Sequence, residues 1–342
     1  MAFRAVLAGC GAMSRGWLEA LTASPLKDRV TVVGLVDVDR AAAERRNAEF
    51  DLQADVDTDL AGLLDRTGPD MLFDIVPPGV RRDVVAAGLS RGCHVLSEKP
   101  MATSLDEARE LVAMARQAGR VHAVMQNRRY NEGVRRIRAT IESGVLGELT
   151  AIHADFFVAP HFGGFREEMQ NVLLVDMSIH TLDAARFMSG KAPLAVYCHE
   201  SNPKGSWWAH GAVANAIFEM SDGVVFTYRG SWAAEGRRTS WDSEWRIVGT
   251  RGMLLWDGET GYVATVKVGD EGFLRPVEQR RLPPPADWAE THGHASVLAA
   301  FVDAIEAGRE PETVGHDNLK SLSMVFAAIE SARQGKRIEI TE

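Results

Sequence analysis

Short apolar runs alternate with segments of helical periodicity through the first 126 residues, and this alternation constrains the fold more than any other feature of the chain. Strand–helix–strand order requires right-handed crossovers and a parallel sheet with helices on both faces. The runs are apolar throughout, as expected for strands covered on both faces. We therefore predict an α/β domain with a doubly wound parallel sheet at residues 1–126. The predicted strands are 3–8, 30–36, 71–76, 94–97 and 121–125, and the predicted helices are 14–23, 40–49, 81–91 and 105–118.

Beyond Gln126 the pattern changes to runs of strands with few helices between them. Turn signals such as Ser221-Asp222-Gly223 and the segment 249–252 suit antiparallel hairpins. This order predicts a second domain at residues 127–342, of α+β type with a large, mainly antiparallel sheet. The predicted strands are 149–157, 194–200, 212–219, 224–232, 245–249 and 252–256, and two helices at 295–307 and 318–333 follow them.

Charge excludes two classes of partner. The chain of 342 residues carries a formal net charge of -9 at pH 7, and its basic clusters are interrupted by apolar or acidic residues. Nucleic acids and anionic lipid surfaces both select clustered lysine and arginine, so we expect neither as a partner. No apolar run approaches the ~20 residues of a membrane span.

The cysteines indicate a reducing compartment. Cys10, Cys93 and Cys198 lie far apart and lack the spacing of a zinc site or a redox pair, so we expect free thiols. The segment 7–10 resembles a lipoprotein cleavage site, but the apolar stretch before it is shorter than the roughly 7–15 residues of a signal sequence. We therefore expect a cytoplasmic protein.

A glycine-rich turn, Gly9-Cys10-Gly11-Ala12-Met13-Ser14, joins the first predicted strand to the first helix. Gly9 permits a tight turn, and Gly11 lets a pyrophosphate approach the backbone at a helix N-terminus that offers N–H groups and a positive dipole end. Ser14 replaces the third glycine of the usual fingerprint. Two glycines in such a turn also arise for steric reasons alone, so the motif needs support from elsewhere in the chain.

That support comes from Asp37, which directly follows the second predicted strand. A carboxylate there accepts hydrogen bonds from the ribose hydroxyls of NAD and repels the 2′-phosphate of NADP. If the strand ended two residues later, Asp39 would take the position and Arg40 would be available to a phosphate. The sequence favours NAD as cofactor and leaves NADP open.

Lys99 lies in the tripeptide Glu98-Lys99-Pro100 at the end of the predicted strand 94–97. The carboxyl ends of strands in open α/β sheets line the ligand crevice, so Lys99 is a candidate for the reacting carbon of a substrate. The alternative is a solvated surface cation, the usual state of a lysine at a strand end.

A second group of polar residues, Asp176, His180 and Asp183, has helical spacing. At about 100° per residue the three side chains share one helix face. A histidine beside a carboxylate has the parts needed to take a proton from an alcohol. Two alternatives stay open, a helix cap with a core histidine and a metal site, although one histidine and two acids give a weak zinc signal.

Together these motifs resemble the glucose–fructose oxidoreductase, inositol dehydrogenase and rhizopine-catabolism protein family (Gfo/Idh/MocA). The resemblance extends over nearly the whole chain, and the Glu-Lys-Pro and Asp-x-x-x-His motifs together are specific. Its motifs are Gly9-x-Gly11 with Trp17, Pro77-Pro78, Glu98-Lys99-Pro100, Asn127-Arg128-Arg129-Tyr130, Gly144-x-x-Gly147 and Asp176-x-x-x-His180-x-x-Asp183.

The resemblance implies a Rossmann domain that binds NAD, followed by a sheet domain that binds substrate and forms homodimers or homotetramers. In similar enzymes the lysine matching Lys99 lies beside the nicotinamide and a substrate hydroxyl. The residue matching His180 exchanges the alcohol proton, and the one matching Asp176 binds substrate and orients the imidazole. The implied cofactor-binding residues are Gly9, Gly11, Ala12, Met13, Asp37, Pro77, Glu98 and Lys99.

For the substrate, the resemblance implies a sugar, sugar acid or polyol such as inositol, and no metal. The loop 161–166 lies where relatives place a substrate-contacting loop, so Arg166 is expected to bind substrate, as is Arg129. Trp207, Trp208 and Trp241 are either a stacking wall for a sugar ring or part of the core.

Three functions remain open: an NAD(P)-dependent dehydrogenase acting on CH–OH groups, a redox-neutral NAD-dependent glycosidase, and a nucleotide-sensing protein without turnover. The dehydrogenase is favoured because Lys99, Asp176 and His180 are all present.

Overall fold

The computed structural model describes residues 2–23, 25–285 and 290–341, and within them six strands form one sheet and nine strands form another. The chain divides into two compact units. The first comprises residues 1–127 and 292–319, and the second comprises residues 128–291 and 320–342.

The first unit is built on a parallel sheet with strand order β3-β2-β1-β4-β5-β6, which confirms the doubly wound α/β prediction. The order reverses beside β1, and this topological switch point is where open α/β sheets bind ligands. Its strands are β1 (Phe3–Ala8), β2 (Val30–Val36), β3 (Asp55–Asp57), β4 (Met71–Asp74), β5 (His94–Ser97) and β6 (His122–Val124). Its helices are α1 (Ser14–Thr22), α2 (Arg40–Glu49), α3 (Leu60–Thr67), α4 (Pro78–Ser90), α5 (Leu105–Ala118) and α8 (His294–Glu306).

The second unit contains a nine-stranded sheet that is antiparallel except where β10 pairs with β7. One face of the sheet is apolar and buried, and the other carries alternating exposed residues, the pattern of an antiparallel sheet covered on one side. Both predicted hairpins are present, β9–β10 and β11–β12. The strands are β7 (Leu149–Phe157), β8 (Pro193–Ser201), β9 (Val213–Met220), β10 (Val225–Ser231), β11 (Glu244–Gly249), β12 (Gly252–Trp256), β13 (Tyr262–Lys267), β14 (Val277–Arg280) and β15 (Ile338–Glu339). The helices α6 (Glu132–Glu142) and α7 (Ile179–Ser189) belong to this unit, and α9 (Gly315–Gln334) extends across the boundary at residue 319.

The units differ from the predicted domain boundaries in one respect. The first boundary lies one residue from the predicted position, but residues 292–319 join the first unit although the prediction placed them in the second. Packing and charge explain why these residues join the first unit. The ring of Phe301 on α8 packs edge-on against the ring of Phe73 on β4, with the two centroids 6.4 Å apart. Asp303 also pairs with Arg29 at 2.6 Å.

The three cysteines are buried free thiols. Burial raises the pKa of Cys93 to about 11 and that of Cys10 and Cys198 to about 12. Among the described residues, no helix has the length and apolar character that crossing a membrane requires.

Candidate functional site

The glycine-rich turn has the geometry that a pyrophosphate needs. Gly9 has a φ of +94°, and a Cβ there would lie 2.7 Å from the carbonyl carbon of Ile75, so only glycine fits. A Cβ built on Gly11 meets nothing within 4 Å among the described residues, which leaves that side of the turn open. Met13 is the N-cap of α1 and supplies no side-chain cap among the described residues, so no capping side chain occupies the first N–H groups of the helix.

Ser14, which replaces the third glycine, is fully buried and holds the turn together. Its hydroxyl donates to the carbonyl of Gly11 at 2.7 Å and accepts from Nε of Arg46 at 3.0 Å. Arg46 also donates to the carbonyl of Gly11 at 3.1 Å. The serine therefore connects the turn to α2 through an arginine that the sequence did not single out.

Asp37 follows β2 directly, and its carboxylate reaches back to the glycine-rich turn. One oxygen accepts from the backbone N–H of Cys10 at 2.6 Å, and the other accepts from the N–H of Asp39 at 2.9 Å. Asp39 instead caps α2 by accepting from Ala41 at 3.1 Å. Arg40 pairs with Glu44 on the surface. Because β2 ends at Val36, Asp37 and not Asp39 occupies the position from which a carboxylate would bind the ribose.

Glu98 and Lys99 come immediately after β5, at the same sheet edge as the glycine-rich turn. Glu98 is buried, and its carboxylate accepts from the indole N–H of Trp17 at 2.8 Å and from the backbone N–H of Lys99 at 3.1 Å. Nε2 of His294 lies 3.9 Å from the same carboxylate. Pro77, which follows β4, is the N-cap of α4. The buried glutamate therefore fixes the backbone from which the lysine side chain departs.

Beneath this edge lies a buried ion pair between Arg81 of α4 and Asp74 of β4, joined by Nε and Oδ2 at 2.8 Å. Arg81 is 1% exposed and also donates to the carbonyls of Val76 and Pro100. The carbonyl of Val76 lies in the loop that follows β4, and the carbonyl of Pro100 lies in the loop that follows β5. One guanidinium therefore links the loop that carries Lys99 to the loop that carries Pro77.

His122 extends this buried network. Its Nε2 lies 3.0 Å from the hydroxyl of Ser97, which also bonds to Asp74. Burial, and after it the positive charge of Arg81, lowers the pKa of His122 to about 3. The imidazole is therefore neutral at physiological pH and serves as a fixed polar support.

In the second unit, Asp176 lies in a π-helical turn, Leu173–Ser178, that leads directly into α7. Wide turns of this kind frequently occur at functional sites. The predicted α-helical geometry therefore applies only from Ile179 onward. Asp176 accepts from Nε of Arg166 at 3.0 Å, so two of the predicted substrate ligands contact each other. His180 follows on the first turn of α7 and is half-buried.

Asp183 and Arg129 form a separate structural pair. Asp183 is fully buried and accepts from both Nε and Nη2 of Arg129 at 2.7 Å, and it also accepts from the hydroxyl of Ser321 at 2.6 Å. Arg129 is 4% exposed. Because Asp183 binds two nitrogens of the guanidinium, the structure favours a structural role for both residues. Arg129 is therefore not part of the proposed substrate site.

A narrow crevice of about 10 Å³ in the second unit is bordered by His180 and by aromatic side chains. Trp241, which is 44% exposed, borders it and packs against Phe156 and Phe162 with ring centroids 6.1 and 6.4 Å apart. Trp208 is a core residue by contrast, stacked on Trp232 at 5.3 Å. The lining residues are Arg128, Val134, Met177, His180, Thr181, Ala184, Trp241, Asp242 and Trp245.

Sequence reasoning missed several residues around these sites, notably Arg81, Arg46 and His294. A signal existed for Arg81, because the buried positions of α4 include 81, 85, 88 and 89, which places an arginine on the apolar stripe. A charged residue on such a stripe needs a buried partner. Arg46 and His294 gave no comparable signal, since their partners are distant in sequence.

Comparisons with known proteins agree with this geometry. The family model described as "Oxidoreductase family, NAD-binding Rossmann fold" matches residues 3–126, and the model described as "GFO/IDH/MocA C-terminal domain" matches residues 134–255. The 1,5-anhydro-D-fructose reductase of Ensifer adhaerens is 30% identical over 270 residues, which cover 76% of this chain and 77% of that protein. The D-apiose dehydrogenase of Paraburkholderia graminis is 26% identical over 349 residues, which cover 99% of this chain and 90% of that protein.

The fold is also similar to solved structures. A crystal structure of an oxidoreductase from Agrobacterium radiobacter in complex with NAD+, L-tartaric acid and magnesium matches with a TM-score of 0.86 at 22% identity, and 99% of each chain is covered. At this level of identity the likeness shows the fold, and it confirms the predicted combination of a parallel α/β sheet and a large, mainly antiparallel sheet.

The residues of the first unit fit an NAD molecule. Gly11 leaves open space where a pyrophosphate would approach the backbone, and the start of α1 offers N–H groups to it. Asp37 provides the carboxylate for the ribose hydroxyls at the end of β2. The predicted NAD cofactor is therefore supported by the family and by the local geometry.

Proposed function

Because the chain belongs to the Gfo/Idh/MocA family of NAD-binding sugar oxidoreductases, we propose that it is a dehydrogenase acting on a secondary alcohol of a sugar, sugar acid or polyol. The observation that carries this proposal is that Lys99 lies two residues after the end of β5, at the sheet edge that holds the glycine-rich turn and Asp37. The second unit adds His180 on the first turn of α7, beside a crevice with an exposed tryptophan.

The proposed roles follow from the chemistry of each side chain. The glycine-rich turn and Asp37 would hold NAD, which would supply the hydride acceptor for the alcohol carbon. Lys99 stabilises the negative charge that develops on the substrate oxygen, and His180 takes the hydroxyl proton as a general base. Asp176 and Arg166 bind substrate hydroxyls, and Asp176 orients the imidazole of His180. Glu98 holds the backbone of Lys99 in place through its bond to the Lys99 N–H.

The test is NADH formation, followed by absorbance, with a panel of inositols, aldoses and sugar acids, each offered with NAD and with NADP. The purified protein should first be examined for bound nucleotide. NADH accumulation with one class of compound would support the dehydrogenase. Silence across the panel from protein that retains NAD would contradict it and favour the redox-neutral glycosidase.

Asp37→Asn is expected to weaken NAD binding by about tenfold and to reduce the preference for NAD over NADP. The substitution removes the charge that the ribose hydroxyls need, while the amide oxygen still accepts from the N–H of Cys10. A tenfold change corresponds to about 1.4 kcal/mol, within the range for one hydrogen bond to a charged group. Calorimetric titration of both dinucleotides measures the effect.

Asp39→Asn is the matched control, because Asp39 lies two residues away and caps α2. Its dinucleotide affinities are expected to remain unchanged, apart from a small loss of thermal stability. Equal effects of both variants would show that Asp37 has no special part in binding NAD.

We also propose that the open face of the nine-stranded sheet packs against a second copy of the chain, giving a homodimer or homotetramer. Side chains from seven adjacent strands form one continuous row across this face. Ile217 is 52% exposed within it, and apolar residues at both ends flank a polar centre. The row consists of Tyr197, Ile217, Thr227, His153, Arg246, Leu255 and Val263. A mixed row of this kind suits a self-complementary interface.

Ile217→Glu is expected to convert the oligomer to monomer, since a carboxylate in each copy would be buried in the interface without a partner. Light scattering after size-exclusion chromatography measures the mass. Val268→Glu is the control, because Val268 is 49% exposed and follows the end of β13. A wild-type protein that is already monomeric at micromolar concentration would refute this proposal and leave the catalytic one intact.

A further inference from the structure

Both arginines beside the predicted substrate groups of the second unit are already neutralised by carboxylates. Arg128 forms an ion pair with Asp242 on the wall of the crevice that His180 borders. Arg166 pairs with Asp176, one turn before His180. Each of these two arginines is therefore matched by a carboxylate.

The first pair is held rigidly. Asp242 accepts from the side-chain amide of Asn131 at 2.7 Å, and its own backbone carbonyl accepts from the indole N–H of Trp245 at 2.7 Å. Both side chains of the pair are largely buried, with Arg128 19% and Asp242 26% exposed. Separating them would leave a poorly solvated charge without its partner, which is costly.

The second pair is supported by aromatic rings. The guanidinium of Arg166 lies 5.3 Å from the ring centroid of Phe162 and 5.1 Å from that of Phe165, and its Nε donates to Asp176. Cation–π contacts on two rings add to the charge pairing and restrain the guanidinium. Arg166 is therefore held beside Asp176.

We infer that the substrate is an uncharged sugar or polyol and that the site discriminates against sugar acids. This inference rests on the proposed dehydrogenase function. In the proposal Lys99 contacts the reacting oxygen, so a substrate carboxylate elsewhere on the sugar would have to compete with Asp176 or Asp242 for a guanidinium, or else lie beside them unpaired. A hydroxyl donates to a carboxylate and accepts from a guanidinium, so it adds to an existing pair without breaking it. The exposed face of Trp241 supplies apolar surface for the C–H groups of such a compound.

The experiment uses pairs of compounds that differ only in a CH2OH group and a carboxylate: glucose with glucuronate, and galactose with galacturonate. Both kcat/KM for NADH formation and binding to the NADH complex are measured for each member. The neutral member is expected to exceed its acid partner at least tenfold in both measurements. Equal values, or a preference for the acid, would overturn the inference while leaving the dehydrogenase intact. Failure of these four compounds and of the whole panel of inositols, aldoses and sugar acids to yield NADH would overturn the proposed function together with it.

Asp242→Asn tests the cause. The substitution keeps an acceptor for Arg128 and Asn131 but leaves the positive charge of Arg128 without a counter-charge. The ratio of kcat/KM for the neutral sugar to that for its acid partner should therefore fall by at least tenfold. Asp222→Asn is the control, since Asp222 pairs with Lys191 on the surface of the same unit. An unchanged ratio in a folded Asp242→Asn variant would show that the Arg128–Asp242 pair does not cause the discrimination against sugar acids. Should that variant not fold, the wild-type ratios still decide the inference.

Discussion

Replacing Lys99 with alanine is expected to lower turnover by about 10²–10⁴-fold while NAD affinity stays within about threefold of the wild-type value. The proposed role of the ammonium is to stabilise charge on the substrate oxygen, which develops mainly in the transition state, so the loss falls on kcat more than on binding. The glycine-rich turn and Asp37, which hold the dinucleotide in the proposal, do not depend on this side chain. Turnover with the preferred sugar and calorimetric titration of NAD give the two numbers.

Lys191→Ala is the matched control, because Lys191 pairs with the exposed carboxylate of Asp222, and an ion pair at the surface is worth about 0–1 kcal/mol. Lys99→Arg adds a second comparison, since it keeps the charge but changes the shape of the donor. Normal turnover in Lys99→Ala would remove the lysine from the mechanism. Loss of NAD binding along with turnover would instead assign Lys99 to cofactor binding.

The fold could be predicted because its signals are local. The runs that became β1 and β2 are mainly apolar, β5 has Val95 and Leu96 at its centre, and the predicted limits of all three are the observed ones. Among the elements that were missed, β3 and α3 are short, whereas β13 has six residues and α6 has eleven. Only Val56 is apolar in β3, and α3 has too few residues for a clear helical period. Such segments acquire their structure from pairing with neighbours, which the sequence does not display.

Only those site residues that belong to one local motif could be predicted from the sequence. Helical phase predicts that Asp176, His180 and Asp183 share one face, but Asp176 lies in a π-helical turn. The phase also does not reveal that Arg129, 54 residues earlier, pairs with Asp183. A helical wheel also cannot show a π-turn, because it assumes a constant angle per residue. Asp37 was identifiable because its distance from the glycine-rich turn is fixed by one strand–helix–strand unit.

Arg81→Met is expected to destabilise the protein by about 3–5 kcal/mol, as breaking one side of a buried ion pair does. The variant leaves the carboxylate of Asp74 in the core without its cation and releases the carbonyls of Val76 and Pro100. Arg82→Met is the control, being the same substitution at the next residue of α4. Arg82 is exposed and bonds to Glu110 at 2.8 Å, so its loss should cost less than about 1 kcal/mol. Denaturant unfolding of both variants measures the difference.

The pH dependence of the stability loss in Arg81→Met shows whether the unpaired charge of Asp74 causes it. Burial raises the pKa of Asp74, and the charge of Arg81 opposes that rise, so removing Arg81 must raise the pKa further. A carboxyl whose pKa is higher folded than unfolded destabilises the native state above that pKa, and the penalty disappears as protonation removes the charge. The deficit of Arg81→Met should therefore shrink as the pH is lowered. Adding Asp74→Leu to Arg81→Met should also recover stability at neutral pH, since an apolar pair replaces an isolated charge. A deficit that is constant with pH and additive with Asp74→Leu would mean that Arg81 acts through packing alone.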